Sequence, residues 1–132
     1  MLKSSLICSA VYLATLSISA GAQAQALRDW TECVNEGDAF SLDVIISGCS
    51  NLIQSGKEGP AKLAEAYRSR GIAYSKRREY DQAIADYDKA IELDPKNAKA
   101  YYQRGYVYDI KGKHDRAMAD YNKAMELLSR RL

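Results

Sequence analysis

Apolar and polar residues follow a repeated pattern in the second half of the chain. The segment YDQAIADYDKAIELDP, Tyr80 to Pro95, returns as HDRAMADYNKAMELLS, His114 to Ser129. In the first copy the apolar side chains fall at i, i+1, i+4, i+7 and i+8, the spacing of one face of an α-helix. These residues are Ala83, Ile84, Tyr87, Ala90 and Ile91. Each copy is therefore predicted to form an amphipathic helix.

The two copies belong to a longer repeat with a fixed period. Aligning Asp81 with Asp115 gives a shift of 34 residues, because 115 − 81 = 34. The same shift carries Tyr74 onto Tyr108. A period of this length indicates stacked supersecondary units, and the helical spacing makes each unit a pair of helices.

The repeated unit resembles the tetratricopeptide repeat family. The family pattern places an aromatic residue, Leu-Gly, Tyr, Ala, a second aromatic residue and Pro at fixed positions. The matching residues are Tyr67, Gly71, Tyr74, Ala83, Tyr87, Ala90 and Pro95 in one repeat, and Tyr101, Gly105, Tyr108, Ala117, Tyr121 and Ala124 in the next. Two features depart from the pattern: Arg70 and Arg104 stand where Leu is usual, and Ser129 replaces the closing Pro.

The resemblance implies an all-α fold, a short right-handed α-solenoid of helix-turn-helix repeats. Small residues such as Gly71 and Ala83 would let helix backbones approach closely, while Tyr74 and Tyr87 fill the space beside them. Six helices are expected. Their predicted bounds are Leu27–Glu36, Ser41–Ser55, Ala61–Arg78, Tyr80–Leu93, Asn97–Lys111 and His114–Arg130.

The first two dozen residues read as a secretory signal peptide. Lys3 precedes the apolar run Leu6 to Ile18, and two small-x-small cleavage sites follow within residues 22–26. The run is too short for a comfortable membrane span, although an uncleaved anchor stays an alternative. We expect an exported protein, periplasmic or secreted, similar to the small exported tetratricopeptide proteins of Gram-negative bacteria.

Export leaves Cys33 and Cys49 as an even pair in an oxidising compartment, so a disulfide is expected. The two cysteines are 16 positions apart, as are Gly71 and Tyr87, which indicates a degenerate first repeat with an insertion of about four residues near 56–60. A redox switch is the alternative. The expected organisation is a signal peptide over 1–24, a disulfide-bearing hairpin over 27–59, and repeats over 64–97 and 98–132.

The family uses its concave groove to hold peptides or partner helices, so the resemblance implies a non-enzymatic protein-interaction module. The residues expected to line the groove are Arg68, Ile72, Ser75, Tyr102, Tyr106 and Asp109, with Glu65 and Lys99 beside them. The alternative for the two tyrosines is that they only cover neighbouring helices. Some members bind a C-terminal carboxylate with Lys and Asn, but those places hold Arg68, Ile72 and Tyr106, so that activity is not expected.

Composition and the absence of known motifs argue against several other classes of function. The 132 residues carry a net charge of +2, which gives no overall field for nucleic acid. The sequence has no GxSxG, phosphate loop or HExxH, so neither an enzyme nor a cofactor or metal site is expected. A second hypothesis is a homodimer formed through Met118, Met125 and Leu128 at the end of the stack.

Overall fold

Helices in series make up the fold. The computed structural model describes residues 3–34 and 39–130, and no strand occurs among them. Its helices are α1 (Lys3–Val34), α2 (Leu42–Ser55), α3 (Pro60–Lys76), α4 (Tyr80–Leu93), α5 (Ala98–Ile110) and α6 (His114–Ser129). Each helix packs against the next along the chain, and α3 also contacts both α1 and α5. The six helices are therefore three stacked hairpins, the predicted α-solenoid.

Local sequence explains where several helices begin and end. The Ser41 side chain accepts a hydrogen bond from the backbone N–H of Val44 at 3.4 Å, and Asn97 accepts one from Ala100 at 3.2 Å. Both side chains satisfy a donor that the first helical turn leaves open. Helix α2 ends at Gly56, whose φ of 63° lies in the left-handed region that glycine adopts without strain.

Two predicted helix bounds differ from the structure by more than one residue. Helix α1 begins at Lys3 rather than Leu27, and its predicted end at Glu36 lies outside the described residues. Helix α3 ends at Lys76 rather than Arg78, because Arg78 has a φ of 64° and cannot continue a right-handed helix. Gly112 holds the equivalent place after α5 with a φ of 71°. The same turn therefore closes both hairpins with different residues.

The inserted residues lengthen a helix rather than a loop. The connection between α2 and α3 spans residues 56–59, and the one between α4 and α5 spans 94–97, so both have the same length. Helix α3 instead starts at Pro60, one turn earlier than the repeat period would place it, since Ala98 begins the equivalent helix. The Lys62 ammonium group in this extra turn lies 5.3 Å from the centre of the Trp30 ring. The extra turn thus packs on α1.

The two helices of the second and third hairpins approach closely where a glycine on the first helix lies against a tyrosine on the second. A Cβ atom on Gly71 would lie 2.8 Å from Tyr87 Cε1, and one on Gly105 would lie 3.0 Å from Tyr121 Cε1. In the first hairpin the equivalent residues, Cys33 and Cys49, are fully buried.

A disulfide joins Cys33 and Cys49. The predicted pair is present, and it lies where the later hairpins have glycine against tyrosine.

The arginines that replace the family's Leu form ion pairs within their hairpins. Arg70 donates through Nε and Nη2 to the two carboxylate oxygens of Asp86, both at 2.8 Å. Arg104 binds Asp120 in the same way, at 2.8 and 2.7 Å. Hydrogen bonding to these carboxylates raises the pKa of both arginines against the opposing effect of burial. Each pair holds the two helices of its hairpin together at two points.

The half-buried signature tyrosines pack beside these arginines. The guanidinium carbon of Arg70 lies 5.6 Å from the ring centre of Tyr67 and 5.8 Å from that of Tyr74. These distances fall within the range of cation–π contacts. Some signature aromatics therefore cover a charged group, whereas Tyr87 is buried in the apolar core.

Within the part of the chain that the structure describes, no helix combines the length and apolar character that crossing a bilayer requires.

Candidate functional site

A groove runs along the side of the stack formed by the first helices of the hairpins, α1, α3 and α5. Ile72 on α3 and Tyr106 on α5 occupy equivalent positions, since 106 − 72 equals the period of 34 residues. Arg68 and Tyr102 are related in the same way, one turn earlier on each helix. The periodic stacking of these helices therefore lines up their exposed faces side by side.

Three cavities follow one another along this groove. The first, of about 240 Å³, lies between α1, α2 and α3 and includes Val34, Arg68 and Ile72 in its wall. The central cavity, of about 410 Å³, is lined by Ile72, Ser75, Lys76, Tyr87, Tyr102, Gln103 and Tyr106. The end cavity, of about 390 Å³, lies between α5 and α6 and includes Tyr102, Met125 and Leu128.

The cavities form one continuous surface because neighbouring cavities share wall residues. Ile72 and Lys76 line both the first and the central cavity. Tyr102 and Gln103 line both the central and the end cavity. An extended segment or a helix lying along the groove could contact all three.

Tyr102 and Tyr106 present most of their rings to solvent within the groove. Their exposed fractions are 59% and 53%, whereas Tyr87 on the groove floor is 2% exposed. The Tyr102 ring centre lies 5.3 Å from that of Tyr121, a tilted arrangement that aromatic pairs favour. Loss of hydration raises the pKa of Tyr121 and raises that of Tyr87 far more. The hydroxyls of Tyr87 and Tyr121 are therefore neutral donors at physiological pH.

Arg68 is held in place by neighbouring side chains. Its guanidinium donates to both carboxylate oxygens of Glu65, through Nε at 3.0 Å and through Nη2, and Nη1 donates to Gln103 Oε1 at 3.3 Å. The Arg68 side chain is only 14% exposed. Its charge is thus largely neutralised within the protein, and the residue joins α3 to α5.

The groove has free positive charge. Lys76 lines the first and central cavities, and Lys99 lines the end cavity. Neither ammonium group has a hydrogen bond or ion pair with any described residue. Among the residues that the structure describes, no carboxylate lines any of the three cavities. The surface combines apolar and aromatic walls with two unpaired cations.

Five of the six residues predicted to line the groove lie in its walls: Arg68, Ile72, Ser75, Tyr102 and Tyr106. Asp109 does not, because its carboxylate contacts the His114 ring nitrogen Nδ1 at the turn between α5 and α6. The prediction missed Val34, Lys76 and Gln103. Val34 could have been found from the cysteine alignment. It lies 38 positions before Ile72, the same offset that relates Cys33 to Gly71.

Metal-binding side chains do not cluster at this site. Among residues 3–34 and 39–130, no group of three or more His, Cys, Asp or Glu side chains is arranged to hold a metal ion.

Family comparison identifies the repeats directly. One tetratricopeptide repeat model matches residues 64–97, and a second tetratricopeptide repeat model matches residues 86–119. No curated protein matches this chain.

Solved structures with the same fold include MamA, which is 29% identical with a TM-score of 0.62 over 68% of this chain. This chain spans about half, 50%, of that MamA chain. The second tetratricopeptide domain of Spaghetti (RPAP3), bound to the HSP90 peptide SRMEEVD, is 25% identical with a TM-score of 0.64, covering 78% of this chain and 92% of that one.

A third structure, the TPR2B domain of yeast Sti1 in a complex with pHsp70, is 22% identical and covers 77% of this chain and 76% of that one. Its TM-score of 0.63 supports the fold. The repeat period, the stacked hairpins, the two family matches and these structures agree. This chain is therefore a tetratricopeptide repeat protein.

Proposed function

We propose that this protein is a non-enzymatic adaptor that binds a peptide or partner helix in the groove. The observation that carries the proposal is the continuity of the three cavities, with Tyr102 and Tyr106 exposed in their walls. Exposed tyrosine is favourable in a binding surface because the ring is large and stiff and the hydroxyl can donate a hydrogen bond.

The composition of the groove favours one class of segment. Apolar walls at Ile72, Met125 and Leu128 suit aliphatic or aromatic side chains. Lys76 and Lys99 would bind acidic side chains of a ligand, because neither cation has a partner among the described residues. We therefore infer an acidic segment with large apolar residues as the ligand.

The comparison with Spaghetti (RPAP3) supports a peptide ligand. That domain is bound to an HSP90 peptide, and this chain is similar to it over most of both lengths. The similarity to MamA covers half of the longer protein, so it supports the groove and the repeats but carries no partner over to this chain.

Export of the protein is part of the proposal. The N-terminal sequence has the charge, apolar run and cleavage sites of a signal peptide. Side chains from residue 19 to 25 are all exposed, and Asp29 is the first buried residue among the α1 side chains that the structure describes, from residue 19 onward. Cleavage near residues 24–26 would therefore remove a part of α1 that makes no core contacts among the described side chains. Intact mass of the protein recovered from the periplasm or medium tests this step.

The ligand can be sought with a library of random peptides displayed on phage. We expect peptides selected on the wild-type protein to bind the Tyr102→Ala/Tyr106→Ala variant at least about tenfold more weakly, since aromatic anchors dominate such surfaces. The far-ultraviolet circular dichroism of the variant should be unchanged, because both rings are more than half exposed.

A control is Ala119→Glu, which changes an exposed residue of α6 that lines none of the three cavities. It should leave the selected peptides bound. Failure to select any peptide, or equal binding to the tyrosine variant, would contradict the proposal.

A further inference from the structure

A second apolar surface lies on α6, facing away from the hairpin that precedes it. Met118, Met125 and Leu128 are exposed by 57%, 69% and 53%. The residues one period earlier, Ile84 and Ile91, are partly buried, and Ile84 packs against a core cluster that includes the fully buried Val107 of α5. We call Asp115, Met118, Asn122, Met125 and Leu128 the end face. It is the α6 counterpart of the α4 surface that α5 covers.

The equivalent surfaces of α2 and α4, which α3 and α5 cover, each have an ion pair at one edge. Arg77, at the end of α3, binds Asp43 in the first turn of α2 at 2.6 Å. Lys111, at the end of α5, binds Asp81 in the first turn of α4. The next residue in this series is Asp115, in the first turn of α6, since 115 − 81 = 34.

A second polar contact repeats two helical turns further into each interface. Besides its own Asp86, Arg70 donates through Nη1 to Ser50 Oγ of α2 at 3.0 Å. Arg104 donates through Nη1 to Asp88 Oδ1 of α4 at 2.7 Å. The next acceptor in this series is Asn122, since 122 − 88 = 34. Asn122 is exposed on α6.

Both acceptors of the end face are free. Neither Asp115 nor Asn122 has a side-chain hydrogen bond or ion pair with any residue that the structure describes. The end face thus combines an uncovered apolar stripe with two acceptors at the positions where the covered interfaces receive cations.

The helices that cover such surfaces share a pattern. On α3 a buried Ala73 lies between Arg70 and the C-cap residue Arg77, and on α5 a buried Val107 lies between Arg104 and the C-cap residue Lys111. In both, a small or aliphatic residue at i+3 lies between cations at i and i+7. The spacing puts all three on one helical face.

We propose that the end face is a docking site for an amphipathic helix of a partner protein, carrying cations at i and i+7 and a small or aliphatic residue at i+3. The cations bind Asn122 and Asp115, and the apolar residue covers Met118 and Met125. This site adjoins the groove, because Met125 and Leu128 belong both to the end face and to the wall of the end cavity.

A second copy of this chain fits the end face less well. Pairing two end faces with antiparallel helices about a two-fold axis brings the same flank of both helices together. Asp115 and Asn122 of one copy would then meet acceptors rather than cations. The complementary charges required by the repeated interfaces would be missing.

A direct test uses a synthetic helix with the required pattern. The peptide has the sequence of residues 97–113, which contains Arg104, Val107 and Lys111, with a hydrocarbon staple replacing Tyr102 and Tyr106 on the opposite face. Binding of the fluorescently labelled peptide to the purified chain is measured by anisotropy. We expect saturable binding that Met118→Glu/Met125→Glu weakens at least about tenfold.

Charge reversal makes the test specific. Asp115→Lys should weaken binding about fivefold, the scale of an exposed ion pair, and a peptide with Lys111→Glu should then bind the Asp115→Lys protein better than the wild type. Glu92→Lys, the same change of charge on the exposed surface of α4, is the matched control and should have no effect, as should Tyr106→Ala in the groove.

Three results would overturn the proposal. The first is the absence of saturable binding up to about 1 mM peptide, the weak limit of specific association. The second is binding that is insensitive to Met118→Glu/Met125→Glu while that variant remains helical. The third is a wild-type dimer in sedimentation that the same substitutions dissociate, which would make a second copy the occupant.

Discussion

Gly71 lies directly against the ring of Tyr87, so that a Cβ atom added to the glycine would be 2.8 Å from Tyr87 Cε1. The ring is 2% exposed and is fixed by the core around it. Its equivalent, Tyr121, is only partly buried and faces the end cavity. The glycine–tyrosine contact is therefore rigid in the hairpin of α3 and α4, whereas in the hairpin of α5 and α6 the tyrosine ring has room to move.

This difference predicts unequal effects of the same substitution. Gly71→Ala should lower the free energy of unfolding by about 1–2 kcal/mol, because overpacking exceeds the gain in helix propensity. Gly105→Ala should cost less, since Tyr121 can move towards solvent and the remaining close neighbour is the Asp120 Cβ atom at 3.1 Å. Urea denaturation of the two variants measures both values. Equal losses would contradict a role for the rigidity of Tyr87.

The disulfide should be the main support of the first hairpin. Replacing both residues, Cys33→Ala/Cys49→Ala, should lower the free energy of unfolding by about 3 kcal/mol, the value for closing a loop of this length. Hydrogen exchange should accelerate in α2 more than in α6, because the bond joins only α1 to α2. Uniform acceleration along the chain would show that the bond stabilises the stack as a whole.

The ion pair between Arg70 and Asp86 should show strong coupling. Asp86→Ala leaves a mostly buried guanidinium without two hydrogen bonds and should cost about 3 kcal/mol. Replacing both partners, Arg70→Leu/Asp86→Leu, restores the family's residue at position 70 and should recover part of that loss. A double-mutant cycle measured by urea denaturation gives the coupling. Additive losses would mean that the two groups act independently.

The turn after α3 contains a strained residue that the equivalent turn after α5 avoids. Arg78→Gly should raise the free energy of unfolding by about 0.5–1 kcal/mol, because Arg78 holds a positive φ that glycine adopts freely. Gly112→Arg is the matched reverse change and should lower it by a similar amount. Thermal denaturation of both variants decides the point, and changes of the same sign would refute it.

The contact between α4 and α5 should respond to acid. The hydrogen bond from Lys111 lowers the pKa of Asp81, so this pair stabilises the fold above the ordinary aspartate pKa near 3.9 and loses its effect as the pH falls through the depressed value. Lys111→Met should raise the pKa of Asp81 towards about 3.9. Carbon-13 NMR titration of the carboxyl group measures it, and an unchanged pKa would show that the pair does not form in solution.

The repeat period made most of this fold predictable. Apolar spacing located α4 and α6, and the 34-residue shift related the hairpins. The cysteine spacing located the first hairpin. Local backbone geometry was less visible in the sequence: nothing in the residues around Arg78 marks it as left-handed, and the inserted residues could not be assigned to α3 rather than to the preceding loop.

The groove was predictable where it follows the period and less so elsewhere. Ile72, Tyr102 and Tyr106 lie at positions that the period brings together. Asp109 lies on the same helical stripe, but His114 at the following turn draws its carboxylate away from the cavities. Lys76 was not predicted to line the groove, because its place between two cavities depends on how α3 packs against its neighbours.

The central claim is that the groove binds a partner, and photo-crosslinking in the groove tests it most directly. A benzophenone amino acid placed at Ser75, in the wall of the central cavity, is activated in living cells that express the chain with its own N-terminal segment. The account predicts one dominant protein adduct, lost with Tyr102→Ala/Tyr106→Ala and absent when the probe is placed at the exposed Ala119. Adducts that are the same at both positions, or that survive the tyrosine substitutions, would contradict it.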